Sequence, residues 1–274
     1  MSIKMVGLDL DGTLLREDKS ISERSREAIR EAIRRGVVVL VSTGRPLTGI
    51  PEELKNFPGM RYILASNGAR IVDQQENRML YESLVKMETA SKVLDVFDRY
   101  DALQEVFFDG IGYVNEEMYS RIGEYLPNPN MAGYVMSTRK PVAGIRNKMR
   151  EMNRPLDKVQ GTFKSLEEKR RALEDLSAVE DIEVTGALSN NIEVNNGGVN
   201  KGAGLLKLGE ILGIKREEIM ACGDGMNDLK MLKEVGFAVA MANGTKEIRE
   251  AADYVTAANN EDGVARAIEK FVLN

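Results

Sequence analysis

Val37 to Val41 is an unbroken run of valine and leucine with no polar residue in it. A strand with one wet face alternates apolar and polar side chains. An unbroken β-branched run is covered on both faces, as strands are inside a parallel sheet flanked by helices. The neighbouring segments fit such a sheet. Met5 to Leu8 is another apolar run, and Ser22 can cap a helix whose Ala28, Ile29, Ala32 and Ile33 recur at helical spacing before Gly36 stops it. A weaker helical piece follows over 51–56, and Tyr62 to Ala65 reads as a third strand. Asn67-Gly68 separates that strand from Ala69 to Val72, which predicts a tight hairpin.

The last third repeats the rhythm. Helices are expected over 204–212, 227–234, 245–251 and 261–272, and strands over 219–223, 237–241 and 254–256. This alternation predicts an α/β protein with a Rossmann-like, doubly wound parallel-sheet core. The middle departs from it. A helix over 85–100 precedes an antiparallel pair, 106–108 and 111–114, around Asp109-Gly110. A helix over 116–126, a loop at Pro127-Asn128-Pro129-Asn130 and a helix over 141–152 come next. A strand over 159–163, a helix opened by the Ser165/Glu168 capping box, and strands over 182–185 and 192–194 complete the region. The pattern predicts an inserted α+β cap domain at 85–188 and a core made of 1–84 and 189–274.

Inventory narrows the chemistry. The 274 residues include no histidine and no tryptophan. Ser-His-Asp triads, Cys-His dyads and histidine zinc sites are therefore excluded, and acid–base work falls to carboxylates, Lys, Tyr or the one cysteine. Cys222 stands alone, so no disulfide forms within the chain, which fits a reducing, cytoplasmic setting. Its place on a covered strand makes it a packing residue. The first eight residues are too short a run, too soon followed by charge, for a signal peptide. No stretch approaches the length of a membrane helix. A formal charge of −5 and a pI near 5.2 argue against nucleic acid as a partner.

Four short motifs then stand out, each at a predicted strand end or helix start. Asp9-Leu10-Asp11-Gly12-Thr13 follows the first strand, and Gly223-Asp224-Gly225-Met226-Asn227-Asp228 follows the strand over 219–223. Ligands of open α/β sheets bind beyond the carboxyl ends of the strands. Asp-Gly is also an ordinary turn dipeptide, but a turn does not account for two such carboxylate clusters on separate strands. Carboxylate oxygens suit Mg²⁺, which keeps several waters and takes few protein ligands. Ser42-Thr43-Gly44-Arg45-Pro46 offers a hydroxyl and backbone N–H groups after the second strand, and Asn200-Lys201-Gly202 puts a lysine at a helix start. A cation there is mildly disfavoured by the helix dipole, and a phosphate in front of it would account for its presence, although taken alone Ser42 to Pro46 reads as a plain strand-to-helix cap and Lys201 as a solvated lysine.

As an ordered set, these motifs resemble those of the haloacid dehalogenase-like phosphatases. The chain is most similar to their Cof-type branch, subclass IIB, which carries a large α+β cap and often acts on sugar phosphates. The resemblance runs the whole length, including Ser66-Asn67-Gly68-Ala69 and the ending from Glu261-Asp262-Gly263-Val264 to Asn274. It implies a nucleophile at Asp9 and an acid–base group at Asp11. It implies a Mg²⁺ site built on Asp9, Asp11, Asp224 and Asp228, with the backbone carbonyl of Asp11 as its contribution. The phosphate would be held by Leu10, Thr43, Gly44, Lys201 and Asn227, with Arg45 and Asn67 as possible substrate contacts. The transport ATPases of the superfamily carry threonine where this chain has Asp11, so hydrolysis is favoured over pumping. The implied partner is a small-molecule phosphate ester. The alternatives are a phosphatase for one biosynthetic intermediate, such as a ribityl-uracil phosphate, and a non-catalytic sensor of phosphorylated ligands.

Overall fold

The computed structural model describes residues 2–274 and divides into two compact units. The first takes the chain up to Gly44 and adds Pro51–Glu82 and Asn200–Asn274; the second comprises Arg45–Ile50 and Ser83–Val199.

The first unit is built on an eight-stranded sheet. Its strands lie in the order Tyr254–Val255, Phe237–Ala240, Ile219–Gly223, Met5–Leu8, Val38–Ser42, Tyr62–Ala65, Arg70–Asp73 and Arg78–Glu82. All neighbours are parallel until Tyr62–Ala65, where two antiparallel strands finish the edge. Met5–Leu8 is central, with Leu8 in register with Cys222 on one side and Val41 on the other. The chain winds outward from this strand in one direction and later returns on its other side. The ends of Met5–Leu8 and Ile219–Gly223 therefore flank the point of reversal, where doubly wound sheets bind ligands.

Local chemistry sets the helices that cover this sheet. Ser22 accepts the Ser25 N–H and starts the helix Glu23–Arg34; Asn200 accepts the Ala203 N–H and starts Lys201–Leu212. Leu205 and Leu208 of the latter pack with Met231 and Leu232 against Met5, Leu40, Leu64 and Ile219. Burying each such leucine contributes about 1.5–3 kcal/mol. No helix among the described residues is long and apolar enough to cross a membrane.

The second unit carries a six-stranded sheet in the order Ile182–Thr185, Asn191–Asn196, Lys158–Phe163, Ala102–Phe108, Ile111–Asn115, Arg139–Val142. Asn191–Asn196 pairs with Lys158–Phe163 inside this sheet, so the unit runs past the expected boundary at 188. Two segments differ from the sequence reading. The expected loop at 127–130 opens a helix, Pro129–Thr138, because Asn128 accepts the N–H groups of Asn130 and Met131 and Pro129 occupies the first turn. Pro141 does not begin a helix: it lies in the edge strand Arg139–Val142, where a missing N–H is tolerated, and the helix starts at Ile145.

Val106, Phe108, Val159, Phe163, Ile192 and Val194 line one face of this sheet and bury against Val93, Leu94 and Phe97 of the helix Met87–Phe97. The alternate positions carry charge. Glu105, Gln160 and Glu193 lie directly opposite one another on three neighbouring strands. Gln160 donates to Glu105 Oε2 at 2.8 Å, Arg139 Nε donates to Glu105 Oε1, and Lys158 Nζ meets Glu193 Oε2 at 2.7 Å. Glu105 is fully buried and Arg139 nearly so. Removing one partner of a buried ion pair leaves the other uncompensated. Arg139→Met is therefore expected to cost about 3–5 kcal/mol in urea unfolding, and the Arg139→Met/Glu105→Gln double variant to recover a large part of it. Equal losses in single and double variants would show that the pair does not stabilise this unit as a pair.

Candidate active site

The site assembles on the first unit from the ends of Met5–Leu8 and Ile219–Gly223 and the start of Lys201–Leu212. Asp9 continues the first of these strands, its N–H donating to Cys222 O at 3.1 Å. Lys201 Nζ donates to Asp9 Oδ1 and to Asp228 Oδ1, both at 2.6 Å, and is wholly buried. The other oxygen of Asp228 accepts the backbone N–H groups of Asp224, at 3.0 Å, and Gly225, at 2.9 Å. One carboxylate thus fixes both the lysine and the loop that presents Asp224. Thr13 Oγ1 donates to Asp224 Oδ1 at 2.6 Å. Gly12 is required between them: it has φ +82°, and a Cβ there would fall 2.2 Å from Asp224 Oδ2.

Asp9, Asp224 and Asp228 each offer an oxygen within 4.8 Å of the others, against the single ammonium of Lys201. Burial, then the charge of Asp228, raise the Asp9 pKa well above the ordinary carboxylate range, outweighing Lys201. The same two causes push Asp224 up to about 6, against the Thr13 hydrogen bond. Burial opposes the Lys201 ammonium, but Asp228 and Asp9 win and hold its pKa above the usual lysine value. Burial pushes the Cys222 thiol up to about 12, so it is a packed thiol and not a nucleophile. A cluster of hard carboxylate oxygens carrying excess negative charge fits a small divalent cation.

Asp11 lies two residues beyond Asp9 and is more exposed, its Oδ1 bonded to Lys19 Nζ at 2.8 Å. Leu10 buries its side chain in the core. Thr43 is buried, its N–H donating to Leu64 O and its carbonyl accepting the Asn67 N–H, each at 2.9 Å. Gly44 ends the segment of the first unit that contains Thr43. Asn227 is half-buried in the turn Met226–Asp228. Arg45 belongs to the second unit, where its guanidinium lies 4.5 Å from the Tyr134 ring centroid and donates to Gly49 O at 2.8 Å. Two neighbours escaped the sequence reading. Thr13 could have been taken from its place in the first motif, whereas Lys19 reaches Asp11 only because the loop folds back, with Lys19 at φ 67°.

Residues 6–268 match the family model described as haloacid dehalogenase-like hydrolase. The chain belongs to the haloacid dehalogenase-like hydrolases. It is an enzyme of the phosphatase kind within that family, as the names of its relatives agree. It is 32% identical over 273 residues to the 5-amino-6-(5-phospho-D-ribitylamino)uracil phosphatase YcsE of Bacillus subtilis, covering 100% of this chain and 97% of the relative. It is 30% identical to the phosphoglycolate phosphatase of Methanothermobacter thermautotrophicus, covering 98% and 99% of the two chains. Among solved structures, a subclass IIB sugar phosphatase of this family superposes with a TM-score of 0.83 at 25% identity, covering 98% of each chain.

Proposed function

We propose that this haloacid dehalogenase-like enzyme is a Mg²⁺-dependent phosphatase for phosphate monoesters of small metabolites, sugar phosphates first among them, working through a phospho-aspartyl intermediate on Asp9. The observation that carries the reading is the buried Lys201 ammonium held at 2.6 Å from both Asp9 and Asp228, beside Asp224, at the reversal point of the sheet. An anionic nucleophile meets an anionic phosphate only where positive charge offsets their repulsion.

Asp9, Asp224 and Asp228, with the Asp11 carbonyl, would hold Mg²⁺. The bound ion would neutralise charge on the phosphate oxygens. The protein's own groups do the rest. An Asp9 carboxylate oxygen attacks phosphorus and the ester P–O bond breaks. The departing alkoxide takes its proton from the Asp11 carboxyl. Asp11, now ionised, removes a proton from water, whose oxygen attacks the aspartyl phosphate and returns Asp9 with release of inorganic phosphate. Splitting one displacement into two lowers each barrier. Lys201, Thr43, Asn227 and the N–H groups of Leu10 and Gly44 would hold the phosphoryl oxygens.

A second reading is favoured by the Bacillus subtilis relative named above: one specific ribitylamino-uracil phosphate as substrate. The test is phosphate release from a panel of sugar phosphates, other small esters and that compound, with Mg²⁺ and with EDTA. Turnover that EDTA abolishes and Mg²⁺ restores is expected. A single ester far ahead of the rest would favour the second reading. Metal-independent turnover would overturn the cofactor assignment, and no release from any ester would overturn the enzymatic reading in favour of a ligand sensor.

A further inference from the structure

Ser66, Asn67 and Gly68 have φ of 52°, 60° and 99°. Three successive residues in the left-handed region, two of them not glycine, form a conformation that L-residues avoid and that persists only where the surroundings impose it. All three are buried, at the carboxyl end of the strand Tyr62–Ala65. What surrounds them is the site. The Asn67 N–H donates to the Thr43 carbonyl at 2.9 Å, while the Thr43 N–H donates to Leu64 O at 2.9 Å, so both backbone groups of Thr43 are pinned by this strand and its turn. On its other side the turn touches the helix that begins at Lys201. A Cβ on Gly68 would fall 2.5 Å from Asn200 O and 3.6 Å from Gly204 Cα. A Cβ on Gly204 would fall 3.2 Å from Gly68 Cα. Backbone meets backbone there, and no side chain can yield to absorb a shift.

We propose that the Ser66–Gly68 turn is a positioning bracket that sets the distance between Thr43 and Lys201, acting through its backbone and not by contact of the Asn67 side chain with substrate. The inference rests on the phosphatase reading, in which Thr43 and Lys201 hold the same phosphoryl group. Thr43 directly follows the strand Val38–Ser42, and Lys201 opens a helix far along the chain. The turn is the piece that bears on both. A bracket of this kind needs an αL backbone at position 67, an N–H at that position, and no side chain at position 68. It does not need an amide at position 67. Asparagine is suited to αL because its short side chain tolerates that region.

The test compares Gly68→Ala, Asn67→Gly and Asn67→Val with wild type. The readouts are kcat and KM on the best ester of the panel, binding of inorganic phosphate by calorimetry, and thermal melting. Gly68→Ala and Asn67→Val are expected to lose roughly 100-fold in kcat, the scale of a small misplacement of positioning groups, with weakened phosphate binding. Asn67→Gly keeps the αL backbone and the N–H and is expected to retain most of both. An Asn67→Gly enzyme as damaged as Asn67→Val in kcat and phosphate affinity would overturn the proposal and make the side chain a ligand contact. So would a Gly68→Ala enzyme with wild-type kcat. If Gly68→Ala does not fold, the two Asn67 variants decide the matter alone. A wild type that binds inorganic phosphate but hydrolyses nothing fails the phosphatase reading only, and the bracket is then judged on phosphate affinity across the variants. A wild type that neither binds phosphate nor hydrolyses any ester overturns both.

Discussion

Asp9→Asn is expected to lower phosphate-ester turnover by roughly 10⁴-fold or more, the scale on which enzymes feel the loss of a covalent nucleophile. The amide keeps the shape of the carboxyl and can still accept a hydrogen bond from Lys201, but it cannot attack phosphorus at a useful rate. The fold should not suffer. Asp9 is buried beside Asp228 and Asp224, and its pKa is raised, so its ionised form is disfavoured in the folded protein. Such a group contributes stability that is fully present below its unfolded pKa and is lost as pH rises through the folded value, a loss that the neutral asparagine does not share. Metal-free Asp9→Asn is therefore expected to melt at or above the wild-type temperature. Activity within tenfold of wild type, measured on protein free of contaminating phosphatase, would sink the aspartyl-phosphate mechanism.

Lys201→Met should damage both stability and rate. The ammonium is wholly buried and bonded to two carboxylates at 2.6 Å. Methionine approximates the length of the lysine stem but leaves Asp9 and Asp228 facing each other without a countercharge, an omission expected to cost about 3–5 kcal/mol. The rate is expected to fall roughly 10²–10³-fold, as when one donor to a developing anion is lost. Lys201→Arg should not rescue it, because a guanidinium is larger and planar and the position is sealed. Mg²⁺ should raise the melting temperature of Lys201→Met more than that of wild type, since the cation then supplies the missing positive charge. A Lys201→Met protein that melts with wild type in the absence of metal would show that the lysine does not hold these carboxylates in solution.

Much of the core was legible because its physics is local. Val37 to Val41 could only be a strand covered on both faces, and the carboxylate motifs follow strands whose apolar runs end abruptly at Asp9 and Gly223. The second unit was less legible for reasons that can be named. The strand Ala102–Phe108 reads from sequence only as Val106 to Phe108, because Gln104 and Glu105 interrupt the apolar run; Glu105 is tolerated inside only through Arg139 and Gln160, which arrive from distant strands. Asn128 and Pro129 were helix-start signals that looked like a loop because two prolines lie close together. Arg45 directly follows Thr43-Gly44, but its place on Tyr134 depends on where the chain goes next. The bond between Lys19 and Asp11 likewise depends on a loop path that no periodicity encodes.

The two carboxylates on Lys201 also bear on its chemical durability. An unprotonated lysine amine beside a phosphate site would condense with the open-chain aldehyde of an aldose phosphate, giving an imine and, in time, a glycated enzyme. Asp9 and Asp228 hold the nitrogen as an ammonium, with its lone pair occupied by a proton. Two of its three N–H bonds are committed to those carboxylates. The same pairing that anchors the lysine keeps its nitrogen from attacking any reducing sugar that reaches it.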